Sequence, residues 1–298
     1  ALLPVTHSFI FLEEGDIAKI TRQTLEIYNA NGELVNRPVK QSNLSSQTVE
    51  LGDHKHYMHK EIFEQPQSVI DTLEGRATQE QVLVSSFGHQ AEAISEKVQQ
   101  VQIIACGTSY HAGLVAKYWF EDIIGMPCQV EVASEYRYRN PVIQNNTLFV
   151  TISQSGETYD TLRALRLAKE NGVNLSAILN VDSSSMAREV DQVIHQNAGP
   201  EICVLSTKST ISQLALVLRL AIRLAERKET KSAAEITQLR QDLMELPSKL
   251  DSIATGDHDS IRDLARHHSV MRNWFFLGRG IQHGLALESA LKFKEVTY

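Results

Sequence analysis

The chain has 298 residues, enough for about two average domains, and its 42% hydrophobic and 22% charged content excludes a disordered or fibrous protein. A formal net charge of −7 without a dense Lys/Arg block argues against duplex nucleic acid as a partner, because that affinity depends on clustered cations. Three cysteines, Cys106, Cys128 and Cys203, show no paired spacing, which fits reduced thiols in a cytoplasmic protein better than a disulfide framework or a zinc site.

In chain order, apolar runs at Phe9–Leu12 and Leu25–Tyr28, separated by turn residues around Gly15 and Gly32, predict short strands. About forty residues are too few for an independent core, so residues 1–40 read as the trailing edge of a preceding domain and 41–56 as a linker. From Tyr57 the pattern turns helical, with Met58, Ile62, Val69 and Leu73 near one face and Pro66 marking a kink.

Strand candidates then follow at Val101–Ala105, Gln129–Val132, Leu148–Ile152, Leu175–Asn180 and Gln192–His195. Helical stretches at 109–124 and 158–171 fall between them. Several strands are continuously apolar, as strands covered on both faces are. This alternation predicts a doubly wound parallel α/β domain over 57–228.

Thr207–Arg227, Ala233–Leu250 and Ile261–Val270 read as helices, those of 229–270 connecting two units. The stretch Ile211–Leu224 is interrupted by Ser212, Gln213, Arg219 and Arg223, so it reads as a buried helix and not a membrane span. No signal peptide is recognisable. Trp274–Leu277 restarts the strand signal, and Ile103–Gly107 and Phe275–Gly278 both lead into helices with Gly113 matching Gly284. Residues 271–298 therefore read as the start of a second copy of the domain. Both chain ends look cut out of something longer.

Doubly wound sheets bind ligands at the carboxyl ends of their strands. The loop Cys106-Gly107-Thr108-Ser109 follows one strand and opens a helix, offering N–H groups, a helix N-terminus and two hydroxyls to an anion. Ser153-Gln154-Ser155-Gly156-Glu157-Thr158 does the same one strand later. Helix capping alone would explain Ser109 or Thr158. Together, with no P-loop lysine and no dinucleotide glycine fingerprint, the loops point to a monoester phosphate held by hydroxyls and amides. Val204-Leu205-Ser206-Thr207-Lys208-Ser209 precedes a third helix and either caps it or adds hydroxyls to the same crevice.

In the last helix Glu288, Lys292 and Glu295 share a face. That spacing suits proton transfer, and it equally suits an ordinary surface ion pair, the commoner meaning. His54, His56 and His59 sit on a linker and helix start, and the adjacent His267 and His268 cannot share a helix face. No metal or cofactor is assigned.

The strings CGTSY, SQSGET, STKS and ALESALKFKE, in this order and spacing, resemble the isomerase half of the glucosamine-6-phosphate synthases, the glutamine:fructose-6-phosphate amidotransferase family. The opening LLPVTHSFIFLEEGDIAKIT resembles the end of that family's glutaminase domain. The resemblance implies a sugar-isomerase (SIS) fold, a flavodoxin-like three-layer sandwich. It also implies conversion of fructose 6-phosphate and glutamine to glucosamine 6-phosphate and glutamate.

Carried over residue by residue, it implies phosphate binding by Ser109, Ser153, Gln154, Ser155 and Thr158, with Cys106, Gly107, Thr108, Val204 and Ser206 against the sugar. Glu295 would shuttle a proton between C1 and C2, supported by Lys292 and Glu288. A homodimer through the isomerase half is implied too. The family's N-terminal nucleophilic cysteine would lie before Ala1, and its Schiff-base lysine and ring-opening histidine beyond Tyr298. Lys292 and Lys294 are not that lysine, so the chain by itself is expected to bind without completing the reaction. A non-catalytic phosphosugar-binding module is the alternative, for which Lys292 and Glu295 would have no use.

Overall fold

A computed structural model describes residues 5–41, 50–88, 90–256 and 258–297. The chain divides into two compact units, 1–53 and 54–298.

The first unit is a small antiparallel β structure. β1 (Ser8–Ile10) pairs with β5 (Val39–Gln41), while β2 (Ile17–Ile20), β3 (Leu25–Tyr28) and β4 (Leu34–Val35) form a meander. Phe11 and Leu12 lie outside β1 and are exposed, so the first strand ends earlier than its apolar run suggests. β2, β4 and β5 are two to four residues long, too short to display a period of two in the sequence. Of the expected 41–56 linker, residues 42–49 lie outside the described residues.

The second unit opens with α1 (Tyr57–Leu73), a short 3-10 turn at Val84–Phe87 and α2 (Ala91–Lys97). α1 stays helical through Pro66. Proline has no N–H to bond the carbonyl four residues earlier; here that carbonyl, of Ile62, accepts from Gln65 Nε2 at 3.2 Å. Val69 and Leu73 are buried, whereas Met58 and Ile62 are only half-buried.

A five-stranded parallel sheet follows: β6 (Gln100–Ala105), β7 (Cys128–Val132), β8 (Thr147–Ser153), β9 (Asn174–Leu179) and β10 (Gln192–His195), in the spatial order β10-β9-β8-β6-β7. The intervening helices are α3 (Gly107–Trp119, continued by a π turn at Phe120–Ile124), α4 (Ala133–Tyr136), α5 (Tyr159–Glu170) and α6 (Ser185–Glu189). α7 (Lys208–Lys228), α8 (Ala233–Ala254), α9 (His258–His268) and α10 (Ile281–Thr297) complete the unit.

Neighbouring strand residues face opposite ways, and both faces are covered. Ile103 and Ala105 join a core with Val69 of α1, Ala116 of α3 and Leu216 of α7. Ile104 and Phe149 join another with Tyr136 of α4, Leu165 of α5 and Met186 of α6. Burial on both faces is why these strands read as unbroken apolar runs. The arrangement is the expected doubly wound three-layer sandwich.

One expectation fails. Trp274–Leu277 forms no strand: 271–279 has no regular structure, and Phe275 and Leu277 are 88% and 90% exposed. A strand exists only through a ladder to a neighbour, and no described segment pairs with this one. The matched glycines both permit close approach, but to different partners. A Cβ on Gly113 would stand 2.9 Å from Val130 Cγ1 of the sheet, and one on Gly284 would stand 3.1 Å from Val115 Cγ2 of α3.

Candidate functional site

β6 has β7 on one side and β8 on the other, so the connection from β7 crosses β6 and the winding reverses there. The loops leaving β6 and β8 diverge and open a crevice at the carboxyl ends of the strands, the usual ligand position in such sheets. Ala105 pairs with Ile152, which brings both loops out at one level.

At the first loop Cys106 is the extended N-cap of α3, Gly107 turns the chain at φ +55, and no side chain caps the helix. Ser109 is the third residue of α3, which removes capping as its explanation. At the second loop Ser153 ends β8 and its Oγ accepts from the Gly156 N–H at 3.0 Å. Thr158 is the N-cap of α5 but makes no side-chain cap bond; its hydroxyl lies 3.2 Å from that of Ser153. Gly156 adopts φ +66, and a Cβ there would stand 2.1 Å from Ser184 Oγ. No other residue fits that position.

The third segment divides. Val204 is 85% exposed and lines the crevice together with Ser206. Thr207 and Ser209 instead turn to carboxylates. Glu201 Oε1 accepts from the N–H groups of Thr207 at 2.7 Å and Ser209 at 3.2 Å, and Oε2 from the Ser209 hydroxyl. The fully buried Glu61 of α1 accepts from the N–H groups of Ile202 at 2.7 Å and Cys203 at 3.0 Å and from Thr207 Oγ1 at 3.2 Å. The α7 N-terminus is thus satisfied by the protein's own acids. Glu61 is not marked in the sequence, because it lies 141 residues from its first partner; Glu201 lies six residues before Thr207, within no capping motif that would single it out.

α10 packs on α3 and carries the acidic face. Lys292 Nζ lies 3.3 Å from Glu288 Oε1 and 3.1 Å from Glu295 Oε2. Glu288 also accepts from Thr108 Oγ1 at 2.9 Å and meets His111 Nδ1 at 2.7 Å. These side chains are 13–28% exposed, so this is not a solvated surface pair. Burial raises the Glu288 pKa, but the His111 hydrogen bond, the Lys292 charge and the Thr108 hydroxyl outweigh it and hold the carboxyl below its ordinary value. His111 carried no motif; its meaning appears only once α3 and α10 are seen side by side.

The three loops and α10 enclose a cavity of about 300 Å³. Cys106, Gly107, Thr108, Ser109, Ser153, Gln154, Ser155, Thr158, Val204, Ser206, Lys292 and Glu295 line it, joined by Ile152 and Leu291. Glu288 stands behind Lys292. Lys292 is the cation of this lining, so an anion here would be met mainly by hydroxyls, amides and the N-termini of α3 and α5. Among the described residues no group of three or more His, Cys, Asp or Glu side chains is arranged to hold a metal ion, and no helix is long and apolar enough to cross a membrane.

Residues 94–223 match the SIS domain family. Over its whole length the chain is 46% identical to the glutamine–fructose-6-phosphate aminotransferase (isomerizing) of Haemophilus influenzae and 49% identical to that of Pseudomonas syringae pv. tomato, covering 49% of each. It spans about half the length of these curated relatives. Among solved structures, the C-terminal domain of glucosamine-fructose-6-phosphate aminotransferase from Francisella tularensis superposes with a TM-score of 0.78 at 39% identity, over 84% of this chain and 70% of that one.

Proposed function

The chain belongs to the glutamine–fructose-6-phosphate aminotransferase (isomerizing) family, and from that premise we propose that it supplies the phosphosugar site of an enzyme making glucosamine 6-phosphate and glutamate from fructose 6-phosphate and glutamine. Ser109, Ser153, Gln154, Ser155 and Thr158 hold the phosphate; Cys106, Gly107, Thr108, Val204 and Ser206 line the sugar. The observation that carries this reading is the meeting of two uncapped hydroxyl loops with Lys292 and Glu295 in one cavity at the switch point of the sheet.

Phosphate oxygens accept hydrogen bonds, and this cradle presents hydroxyls and N–H groups to them. In the same cavity Glu295 is the base that takes a proton from one carbon of the open-chain sugar and returns it to the neighbouring carbon, migration needing one carboxylate within reach of both. Lys292, held between Glu288 and Glu295, stabilises the oxyanion that develops when the ring opens. Glu288 orients Lys292. Self-association through this α/β unit and residence in the cytoplasm belong to the same proposal, and sedimentation at monomer mass at every concentration would overturn the first.

The test is isothermal titration with glucosamine 6-phosphate and with unphosphorylated glucosamine, on the chain and on Ser153→Ala. The phosphorylated sugar alone should bind, about tenfold more weakly to the variant, as for one lost charge-assisted hydrogen bond. Equal heats from both sugars, or none from folded protein, would sink the reading.

A further inference from the structure

His111 lies on α3, one turn beyond the loop residue Thr108, and faces α10. Its Nδ1 stands 2.7 Å from Glu288 Oε2, each side chain 13% exposed. The other carboxylate oxygen is held by Thr108 Oγ1 at 2.9 Å and Lys292 Nζ at 3.3 Å, and Lys292 reaches Glu295 Oε2 at 3.1 Å. A continuous polar chain therefore runs from the helix that begins at the first loop to the two groups that enter the cavity. Gly284 permits the approach. A Cβ there would stand 3.2 Å from the His111 carbonyl oxygen and 3.3 Å from Leu114 Cβ, so α10 comes close enough for these side chains to meet.

We propose that His111 is a positioning residue for this site: its ring clamps Glu288 of α10 to α3, and Glu288 thereby aims Lys292 and Glu295 at the sugar. The proposal rests on the phosphosugar reading of the cavity. A carboxylate on Nδ1 sets the neutral ring to the tautomer with its proton on Nδ1, donating to Glu288. The groups facing Glu288 are His111 and Thr108 from α3 and Lys292 from its own helix. With both oxygens engaged, Glu288 holds the lysine and leaves proton transfer to Glu295.

The atom used selects the test. Asparagine places Nδ2 close to where histidine has Nδ1, two bonds from Cβ, so His111→Asn keeps a donor for Glu288, whereas His111→Leu keeps bulk and loses it. Inorganic phosphate probes only the loops; glucosamine 6-phosphate probes the loops and α10 together. His111→Leu should weaken glucosamine 6-phosphate about tenfold and leave inorganic phosphate unchanged. It should also shift the Glu288 carboxyl titration, followed by carbon-13 NMR and assigned with Glu288→Gln, to higher pH; His111→Asn should restore sugar affinity.

Equal loss for both ligands, or an unmoved Glu288 titration, would overturn the clamp. If the wild-type chain binds no glucosamine 6-phosphate, the phosphosugar reading fails instead, and the Glu288 titration alone decides whether the clamp exists. His111→Gln, whose amide lies one bond too far, replaces the leucine variant if that one does not fold.

Discussion

The guanidinium of Arg219 in α7 lies 4.2 Å from the centre of the Phe87 ring. Arg219 is fully buried, and its three nitrogens have no hydrogen-bond partner among the described residues. Burial, reinforced by the nearby Arg76 charge, pushes its pKa down to about 9. A desolvated cation–π contact contributes about 2 kcal/mol, less than the several kcal/mol that burying an unpaired ion costs. Arg219→Met should therefore stabilise the protein by about 1–3 kcal/mol, read as a higher thermal midpoint, and a lowered midpoint would refute this.

Gly156→Ala should disrupt the second loop. The residue sits at φ +66, and its new Cβ would stand 2.1 Å from Ser184 Oγ and 2.5 Å from Ser184 Cβ. The backbone conformation alone costs about 1–2 kcal/mol for a residue with a Cβ, and relieving the clash shifts either the loop or α6. A fall of at least about tenfold in glucosamine 6-phosphate affinity is expected, with a lower thermal midpoint; unaltered titration curves would argue against the loop as the phosphate cradle.

Glu288 gives the α3–α10 contact an acid dependence. Its carboxyl is held below the ordinary value of 4.5, so the folded state binds the proton more weakly than the unfolded chain does. The resulting stability is present in full above that ordinary value and disappears as pH falls through the lower, folded-state pKa. Thermal melts from neutral to acid pH should show wild type losing an advantage that Glu288→Gln never has. Parallel curves across that range would count against it.

Glu61→Ala should loosen the segment that carries Val204 and Ser206. It removes the acceptor for the Ile202 and Cys203 N–H groups and the Thr207 hydroxyl, at a cost of about 2–4 kcal/mol if those donors stay dry. Sugar affinity should fall, while inorganic phosphate, assigned to the other two loops in the proposed reading, should bind as before. A change in both affinities would mean that the segment has a wider role.

Cys128 should be chemically silent. It is buried in the core, and desolvation pushes its thiol up to about 12, which leaves on the order of one thiolate in ten thousand at pH 8. Alkylation of the native chain, read by mass spectrometry, should spare Cys128 until the protein is unfolded. Prompt native labelling would show that the strand opens.

Much of this molecule is legible along the chain. The apolar runs at 101–105, 148–152 and 175–180 mark buried parallel strands because each is covered on both faces, and the hydroxyl loops follow directly from where those strands end. The face shared by Glu288, Lys292 and Glu295 follows from helical periodicity alone. These are local properties, set by residues within a turn or a strand of one another.

What tertiary structure alone decides are partners distant in sequence. Whether Ser109 and Thr158 cap helices or face a cavity depended on where α3 and α5 begin. The hydroxyl of Thr207 goes to Glu61, 146 residues away, and not to the crevice, a choice no local pattern encodes. Trp274–Leu277 has the composition of a strand but no neighbour among the described residues to complete a ladder, and His111 acquires its proposed role only through Glu288, 177 residues away. Periodicity records which side of an element is buried; which group stands opposite it is set by packing.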